Sequence, residues 1–263
     1  MPKETIRLDV ALQEAGLAET RTKAQALIMA GEVQVNGKLI DKPGTRVHAS
    51  DQFTLKSKPR FVSRGGEKLD GALTAFAIPV DGRVAADVGA STGGFTDCLL
   101  QRGVGKVYAI DVGYGQLDYR VRVDPRVIVM ERTNARYLES LPEPVNLVVV
   151  DASFISLRLL LPAIQKWLVP PADIVTLVKP QFEAGREEVP KGGIVRQASV
   201  HQRVLEKVTA FAEQTGLIVA GVIVSPLKGM DGNTEFLLWL KTEGEAPTAE
   251  QIVQWIQDAL AAA

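Results

Sequence analysis

The stretch DVGASTGGFTDCLL, residues 87–100, joins an apolar run ending at Val88 to a segment with the residue spacing of a helix. Small residues and a Gly-Gly pair lie between them, and these let the backbone turn tightly and approach a ligand closely. A strand that enters a helix through such a turn presents the helix N-terminus to the ligand. Several classes of nucleotide-containing cofactor are bound in this way, so the turn alone leaves the ligand open.

The sequence around this stretch alternates strands and helices. From Val84 onward, apolar runs are separated by segments of helical periodicity at 94–101, 155–168 and 198–214. Near-continuous apolar strands with connecting helices are typical of a parallel sheet buried on both faces. The runs LIVAGVIVSP and TEFLLWLK are close enough to pair directly and finish the sheet, and TAEQIVQWIQDAL predicts a capped C-terminal helix. We therefore predict a Rossmann-like α/β domain.

The residues before this domain follow a different pattern. RLDVALQEAG and TRTKAQALIMAG have helical spacing and end at glycines, with Thr20 as a predicted N-cap. EVQVNGKLI alternates apolar and polar residues around Asn36-Gly37, a strong hairpin signal. We predict a small α+β domain at 1–59, a short linker at 60–63 and the α/β domain at 64–263. The stretch KPRFVSRGGEKLDGAL is expected to form a tight joint between the domains.

Composition limits the class of protein. The 263 residues are 46% hydrophobic, and the longest apolar stretches fall far short of the roughly 20 residues of a membrane span. The N-terminus MPKETIRLDV has no signal-peptide core, which predicts a cytoplasmic protein without membrane contact. A single cysteine, Cys98, and two histidines, His48 and His201, predict neither a disulfide nor a metal site. Cys98 is expected to face the core.

The first domain resembles a known RNA-binding module. Two helices leading into AGEVQVNGKLIDKPGTRV resemble the S4 domain, and residues 1–64 carry 11 Lys and Arg against 7 Asp and Glu, although the whole chain has a net charge of −1. The resemblance implies that a basic helix face and the hairpin contact structured RNA. A solvated face or a domain used for protein contact remains the alternative. The residues concerned are Arg7, Arg21, Lys23, Lys38 and Lys42.

The spacing of the glycine-rich turn narrows the choice of cofactor. A dinucleotide-binding turn has G-x-G-x-x-G, whereas this chain has D-x-G-x-S-x-G-G-F, which resembles the first motif of class I methyltransferases that bind S-adenosylmethionine. Asp111 ends the next strand, where a carboxylate can accept from both ribose hydroxyls. Asn134 follows the third strand, where it either contacts adenine or only closes a turn. The predicted cofactor-binding residues are Asp87, Gly89, Ala90, Ser91, Thr92, Gly93, Gly94, Asp111, Val112, Asn134 and Asp151.

Four residues scattered along the chain predict the reaction. Asp151 and Lys179 each end a strand, so they should face one crevice. With Lys68 and Glu235 they resemble the Lys-Asp-Lys-Glu set of FtsJ-type RNA ribose 2′-O-methyltransferases. Since a ribose hydroxyl is a poor nucleophile, such a site must withdraw its proton as the oxygen attacks a sulfonium methyl group. Lys179 can serve as the base in its neutral form, and Asp151 and Glu235 would orient the two lysines. The sequence leaves open which of the two lysines is the base.

Further residues of the second domain are candidates for RNA contact. Phe154 in DASF either stacks on a displaced base or belongs to the core. The stretch PQFEAGREEVPKGGIVRQ is long, polar and glycine-bearing, so we expect a mobile loop that closes on RNA. The basic candidates are Arg64, Arg186, Lys191 and Arg196.

Over roughly residues 5–240, the chain resembles the TlyA or hemolysin A family. The motifs that carry the resemblance are VSRGGEKL, DVGASTGGFTDCLL, DVGYGQL, VMERTNAR, DASFISL, LVKPQFEAG and GNTEFLLWL. It implies methylation of cytidine 2′-oxygens in ribosomal RNA or ribosomal subunits, and we expect a monomer. Two alternatives are a nicotinamide-dependent oxidoreductase, which would leave the Lys-Asp-Lys-Glu set unexplained, and a membrane-damaging cytolysin. The C-terminal helix is the one candidate for a membrane-active segment, and its polar face carries Glu250 and Asp258 but no Lys or Arg.

Overall fold

The computed structural model describes residues 5–55 and 59–263, and of Arg186 the backbone alone. The chain divides into two units between Pro59 and Arg60. Residues 60–63, which the sequence predicts to be a linker, pack within the second unit. Phe61 is buried there, and the amide of Val62 donates to Asp97 Oδ2 at 2.8 Å. Among the described residues, no helix is long and apolar enough to cross a membrane.

The first unit contains the two helices and the hairpin that its sequence predicts. Thr20 Oγ1 accepts from the amide of Lys23 at 3.2 Å and caps the second helix. Asn36 and Gly37 form the hairpin turn with φ of 50° and 77°. Strand β1 pairs with β4, and β2 pairs with β3 and β5, all antiparallel. The elements are β1 (Thr5–Arg7), α1 (Leu8–Glu14), α2 (Arg21–Met29), β2 (Val33–Val35), β3 (Lys38–Leu39), β4 (Arg46–His48) and β5 (Phe53–Leu55).

Strands of the second unit form one mixed sheet. The order is β11-β12-β10-β9-β6-β7-β8. The five strands β10, β9, β6, β7 and β8 are parallel, whereas β12 is antiparallel to both of its neighbours, β10 and β11. The two last runs therefore pair directly, as predicted. The strands are β6 (Val84–Val88), β7 (Lys106–Ile110), β8 (Val127–Met130), β9 (Val145–Val150), β10 (Leu168–Val178), β11 (Ile218–Val224) and β12 (Phe236–Lys241).

Helices cover both faces of this sheet. Because side chains alternate along a strand, Val148 and Val150 pack with α6, α8 and α9, whereas Leu147 and Val149 pack with α3 and α4. Cys98 is buried in the second of these layers, as expected. The predicted Rossmann-like fold is confirmed. The helices are α3 (Arg64–Ala75), α4 (Gly94–Gln101), α5 (Tyr119–Arg122), α6 (Leu157–Ile164), α7 (Pro180–Glu183), α8 (Ala198–Gln214) and α9 (Ala249–Ala261).

Two predicted loop segments contain helices. The expected joint at 64–73 belongs to α3, because Gly65 and Gly66 permit close packing rather than breaking the helix: a Cβ at Gly66 would overlap the Phe61 ring. The expected mobile loop begins with α7 and continues with a 3₁₀ turn at Arg186–Glu188. The helix predicted at 155–168 is shorter, since α6 passes into a 3₁₀ turn at Gln165–Trp167.

Candidate active site

The carboxyl ends of the parallel strands bring the predicted acidic residues and Lys179 to one edge of the sheet. Asp111, Asp151 and Lys179 directly follow β7, β9 and β10, and Gly89 directly follows β6. Strand β12 runs antiparallel to β10, so its start lies at this same edge, where Glu235 precedes it. A cleft of about 640 Å³ opens here, and all four residues of the Lys-Asp-Lys-Glu set line it. Crevices at such strand ends are the usual ligand sites of open α/β sheets.

The four residues form two lysine–carboxylate pairs. Lys179 Nζ lies 2.6 Å from Asp151 Oδ1 and donates to Ser153 Oγ at 2.9 Å. Lys68, which α3 supplies, donates to Glu235 Oε2 at 2.5 Å. Both lysines and Glu235 are buried, and Asp151 is half-buried. Buried charges are tolerated when each has a partner, so removing one member would leave the other uncompensated.

The turn after β6 brings two stretches of backbone into close contact. Gly89 has φ of 85°, and a Cβ built on it would lie 2.5 Å from the carbonyl oxygen of Asp151. Only glycine allows both the backbone conformation and the close approach. Ser91 and Thr92 are exposed on the cleft wall, and Ala90 lines the cleft as a buried residue.

Asp111 is held in place by the same turn. Its Oδ2 accepts from the amide of Ser91 at 2.8 Å, and its Oδ1 accepts from the amide of Gly113 at 2.7 Å. A carboxylate has about four lone-pair sites, so two acceptor positions remain for a ligand. Asp111 and Val112 line a second cleft of about 490 Å³, which Gly89, Ser91 and Asp151 also border.

Asn134 closes a turn, one of the two alternatives that the sequence left open, and the contact with adenine stays a prediction. Its side-chain oxygen accepts from the amide of Arg136 at 3.0 Å and closes a 3₁₀ turn at Ala135–Tyr137. It also lines the second cleft beside Thr133.

Asp87 lies beneath the turn, completely buried. Its Oδ2 accepts from Thr96 Oγ1 at 2.6 Å, which ties the end of β6 to α4, and its Oδ1 has no hydrogen-bond partner among the described residues. Burial raises the pKa of Asp87 to about 7, and the negative charge of Asp151 acts in the same direction.

Gly93 and Gly94 were predicted to bind the cofactor, and the structure shows that both positions are also required for packing. Gly93 has φ of 91° before α4, and a Cβ there would lie 2.8 Å from Leu117 Cδ1. A Cβ at Gly94 would overlap Ser63 Oγ, so this glycine permits the approach of α3 to α4. Gly94 still borders the first cleft.

In the first unit, the basic candidates differ in what they contact. Arg7 and Arg21 donate to the buried carboxylate of Asp9 at 2.9 to 3.0 Å, and Gln25 donates to it at 2.7 Å. The side chains of Arg7 and Arg21 remain 40% and 51% exposed, so each still offers donors to a ligand. Lys23 pairs with Glu19 on the surface. Lys38 and Lys42 are exposed.

The candidates of the second unit lie partly on the cleft. Arg64 is exposed, lines the first cleft and donates to the carbonyl oxygen of Lys228 at 3.0 Å. Lys191 and Arg196 are exposed on the segment after α7. The side chain of Arg186 lies outside the described part of the chain.

Phe154 is an exposed residue, which decides against its assignment to the core. Its side chain is 90% exposed, its φ is 63°, and its ring centroid lies 5.0 Å from that of Phe182. It lines both clefts.

Sequence reasoning missed three residues whose side chains hold candidate residues in place, one in the first unit and two in the second. Asp9 was visible as a carboxylate between Leu8 and Leu12 on an apolar helix face. Ser153 and Glu183 carried no local signal, because their partners lie 26 residues or more away.

Comparison with known proteins supports the assignment of both domains. Residues 61–242 match the FtsJ-like methyltransferase model, and residues 6–53 match the S4 domain model. The chain is 49% identical over 259 residues to YqxC of Bacillus subtilis, named as a candidate rRNA methyltransferase, with 96% of this chain and 91% of that protein covered. It is also 49% identical over 241 residues to the 16S/23S rRNA (cytidine-2′-O)-methyltransferase TlyA of Mycobacterium tuberculosis, with 90% of each covered.

A solved structure agrees with these relatives. The structure of a candidate hemolysin from Streptococcus thermophilus has a TM-score of 0.73 and 45% identity, and the match covers 98% of this chain and 96% of that one. The sequence match and the Lys-Asp-Lys-Glu set at the sheet edge lead to one assignment. The chain belongs to the FtsJ-like methyltransferase family, within the TlyA and hemolysin A group, and it carries an S4 domain at residues 6–53.

Proposed function

We propose that this protein methylates the ribose 2′-oxygen of cytidine in ribosomal RNA, with S-adenosylmethionine as methyl donor. The observation that carries the proposal is the convergence of Lys68, Asp151, Lys179 and Glu235 on one cleft as two charge pairs. Two lysines and two carboxylates at this edge of the sheet suit removal of a proton from a hydroxyl.

The cofactor fits the turn between the two clefts. The backbone of Gly89 and the residues that follow it offers close approach, and Asp111 keeps acceptor capacity for ribose hydroxyls. Val112 and Asn134 line the cleft on this side. When bound, S-adenosylmethionine supplies an electrophilic methyl group on its sulfonium. We place it along Gly89 to Thr92, Asp111, Val112 and Asn134, with Asp151 at the boundary to the substrate.

Lys179 is the residue that we assign as base. In its neutral form, Nζ accepts the proton of the 2′-hydroxyl, and the carboxylate of Asp151 at 2.6 Å stabilises the ammonium that results. The bond to Ser153 fixes the direction of Nζ. Lys68 and Glu235 form the opposite part of the wall, where we expect them to orient the ribose.

The S4 unit supplies phosphate contacts that position the RNA. We assign these to Arg7, Arg21, Lys23, Lys38 and Lys42, because such contacts are electrostatic and independent of sequence. In the second unit, Arg64 and Phe154 lie on the cleft, and Phe154 offers a face on which a displaced base can stack.

The identity of the substrate rests on the relatives. TlyA is named for cytidine 2′-oxygens of 16S and 23S rRNA, and we transfer that substrate to this chain. Ribosomal subunits are accordingly the proposed partner, the cytoplasm the proposed location, and a monomer without a metal ion the proposed active form. We expect Lys191, Arg196 and Arg186 to contact RNA.

The substitution Lys179→Met tests the proposal. It removes the base while keeping the bulk of the side chain, so methyl transfer should fall by about 10² to 10⁴. The measurement is mass mapping of 2′-O-methylated nucleotides in rRNA from a deletion strain that carries either the wild-type or the variant gene, with purified enzyme rates beside it. Lys166→Met is the matched control, since Lys166 forms a surface pair with Glu139 at 2.9 Å.

Four outcomes decide the matter. Loss of cytidine 2′-O-methylation with intact cofactor and RNA binding supports the proposal. A fully active Lys179→Met enzyme would remove the need for a base at this position. Loss of activity that matches loss of RNA binding would make Lys179 a phosphate contact. An rRNA methylation map that is unchanged in the deletion strain would overturn the assigned substrate.

A further inference from the structure

Phe154 adopts a backbone conformation that burial of its own side chain does not stabilise. Its φ of 63° is disfavoured for a residue with a Cβ, and its ring is 90% exposed, so burial provides no compensation. A residue held in this way depends on the bonds of the flanking residues. Strain of this kind at a cleft points to function.

After Phe154 in the chain, Ser156 and Leu157 are held by hydrogen bonds to Glu183. This glutamate ends α7, and its side chain is 4% exposed. Its Oε2 accepts from Ser156 Oγ at 2.6 Å, and its Oε1 accepts from the amide of Leu157 at 2.6 Å. Leu157 is the first residue of α6, so the carboxylate fixes the chain two and three residues after Phe154. We call these two hydrogen bonds the Glu183 latch.

Before Phe154 in the chain, Asp151 and Ser153 are held by Lys179, which directly precedes α7. Lys179 Nζ contacts Asp151 at 2.6 Å and Ser153 Oγ at 2.9 Å. Phe182 lies between Lys179 and Glu183 in sequence, and its ring centroid is 5.0 Å from that of Phe154. Residues 179–183 therefore hold both ends of the segment 151–157 and also contact the ring between them.

A buried carboxyl is a costly way to make this connection. Burial raises the pKa of Glu183, although the bonds from Ser156 and Leu157 oppose that effect. An apolar side chain would pack here at lower cost but would leave the amide of Leu157 without an acceptor. The acceptor oxygens are thus the property that this position requires.

We propose that Glu183 is a positioning residue: through the Glu183 latch it holds Phe154 where the ring can stack on the displaced base of the substrate. This inference rests on the proposed function. Glu183 itself touches no reacting atom, and its effect on methyl transfer passes through Phe154. The latch should therefore matter only while the Phe154 ring is present.

A double-mutant cycle tests this dependence. The variants are Glu183→Ala, Phe154→Ala, their combination, and Glu183→Gln as the conservative replacement. The substrate is ribosomal subunits from a strain that lacks the gene, and kcat and KM are measured with calorimetric affinity for S-adenosylmethionine. We expect Glu183→Ala and Phe154→Ala each to lower kcat/KM about tenfold, within the range for loss of one base–aromatic stack. The combined variant should lose no more than Phe154→Ala alone.

Two further measurements separate positioning from stability. The fall in melting temperature caused by Glu183→Ala should be equal with and without Phe154, whereas its effect on kcat/KM should vanish without Phe154. Glu183→Gln retains an acceptor for the Leu157 amide and should recover activity to within about threefold of wild type. Ser156→Ala removes one bond of the latch and keeps the other, so it serves if Glu183→Ala does not fold. It should show a smaller loss with the same dependence on Phe154.

Several results would overturn the inference. Wild-type kcat/KM in a folded Glu183→Ala enzyme, or losses that multiply in the combined variant, would show that Glu183 does not act through Phe154. Loss of activity that follows loss of cofactor affinity would do the same. A wild-type chain that transfers no methyl group to the subunits would overturn the proposed function and this inference with it.

Discussion

The unpartnered oxygen of Asp87 predicts that the second unit loses stability as the pH rises through neutrality. Burial raises the pKa of Asp87 from 3.8 to about 7, and Oδ1 has no hydrogen-bond partner in the described part of the chain. Because the folded-state pKa lies above the unfolded one, the stabilisation is fully present below about pH 4 and lost as the pH rises through 7. A shift of about three units corresponds to about 4 kcal/mol at most, at about 1.4 kcal/mol per unit.

The perturbation is Asp87→Asn, which keeps the shape and an acceptor for Thr96 but cannot ionise. The assay is urea unfolding of the ligand-free chain between pH 4.5 and 8.5, followed by tryptophan fluorescence. All three tryptophans, Trp167, Trp239 and Trp255, lie in the second unit, so the signal reports on that unit alone. We expect the free energy of unfolding of wild type, relative to the variant, to fall by up to about 3 kcal/mol across this range, because part of the loss lies below pH 4.5.

Two controls define the result. Asp258→Asn changes an exposed carboxylate on α9 and should leave the pH profile of wild type nearly unchanged. Thr96→Val removes the hydroxyl that stabilises the Asp87 carboxylate, so it should move the loss of stability to higher pH. Parallel profiles for wild type and Asp87→Asn would refute the reasoning, because they would mean that Asp87 does not titrate between pH 4.5 and 8.5.

Two further predictions concern the glycine turn and the S4 unit. Gly89→Ala should abolish S-adenosylmethionine binding in calorimetry, because its Cβ would meet the Asp151 carbonyl at 2.5 Å. The control is Gly115→Ala, where φ is 71° and a Cβ would enter open space. This variant should bind the cofactor normally and lose only about 1 kcal/mol of stability. Asp9→Asn should destabilise the first unit by about 1.5–3 kcal/mol, the range for a hydrogen bond to a charged group, as measured by hydrogen exchange of its amides. The hydrogen bond from Arg7 lowers the pKa of Asp9, so this contribution should begin to decline in wild type as the pH falls below about 4 and be lost progressively at still lower pH. Normal cofactor binding by Gly89→Ala, or unchanged exchange in Asp9→Asn, would contradict these two expectations.

Much of the fold follows from local periodicity. Apolar runs predicted the sheet strands, and helical spacing predicted α4 and α8 with their observed bounds. Thr20 and Asn36-Gly37 predicted a cap and a hairpin correctly, because these signals act within four residues. The prediction missed α3, since the stretch was assigned to a joint between domains, and the close packing that its Gly66 permits is visible only in the structure.

The sequence also predicted which residue types gather at the cleft, because parallel strands end at one edge of a sheet whatever their loops do. The pairing was decided by tertiary structure. Lys68 and Glu235 are 167 residues apart, and their contact depends on the path of every element between them. Tertiary structure also decided three further features: the exposure of Phe154, the packing role of Gly93 and the hydrogen bonds of Glu183 to the start of α6. Periodicity reports whether a side chain faces the core, but it carries no information about the partner that a distant segment will supply.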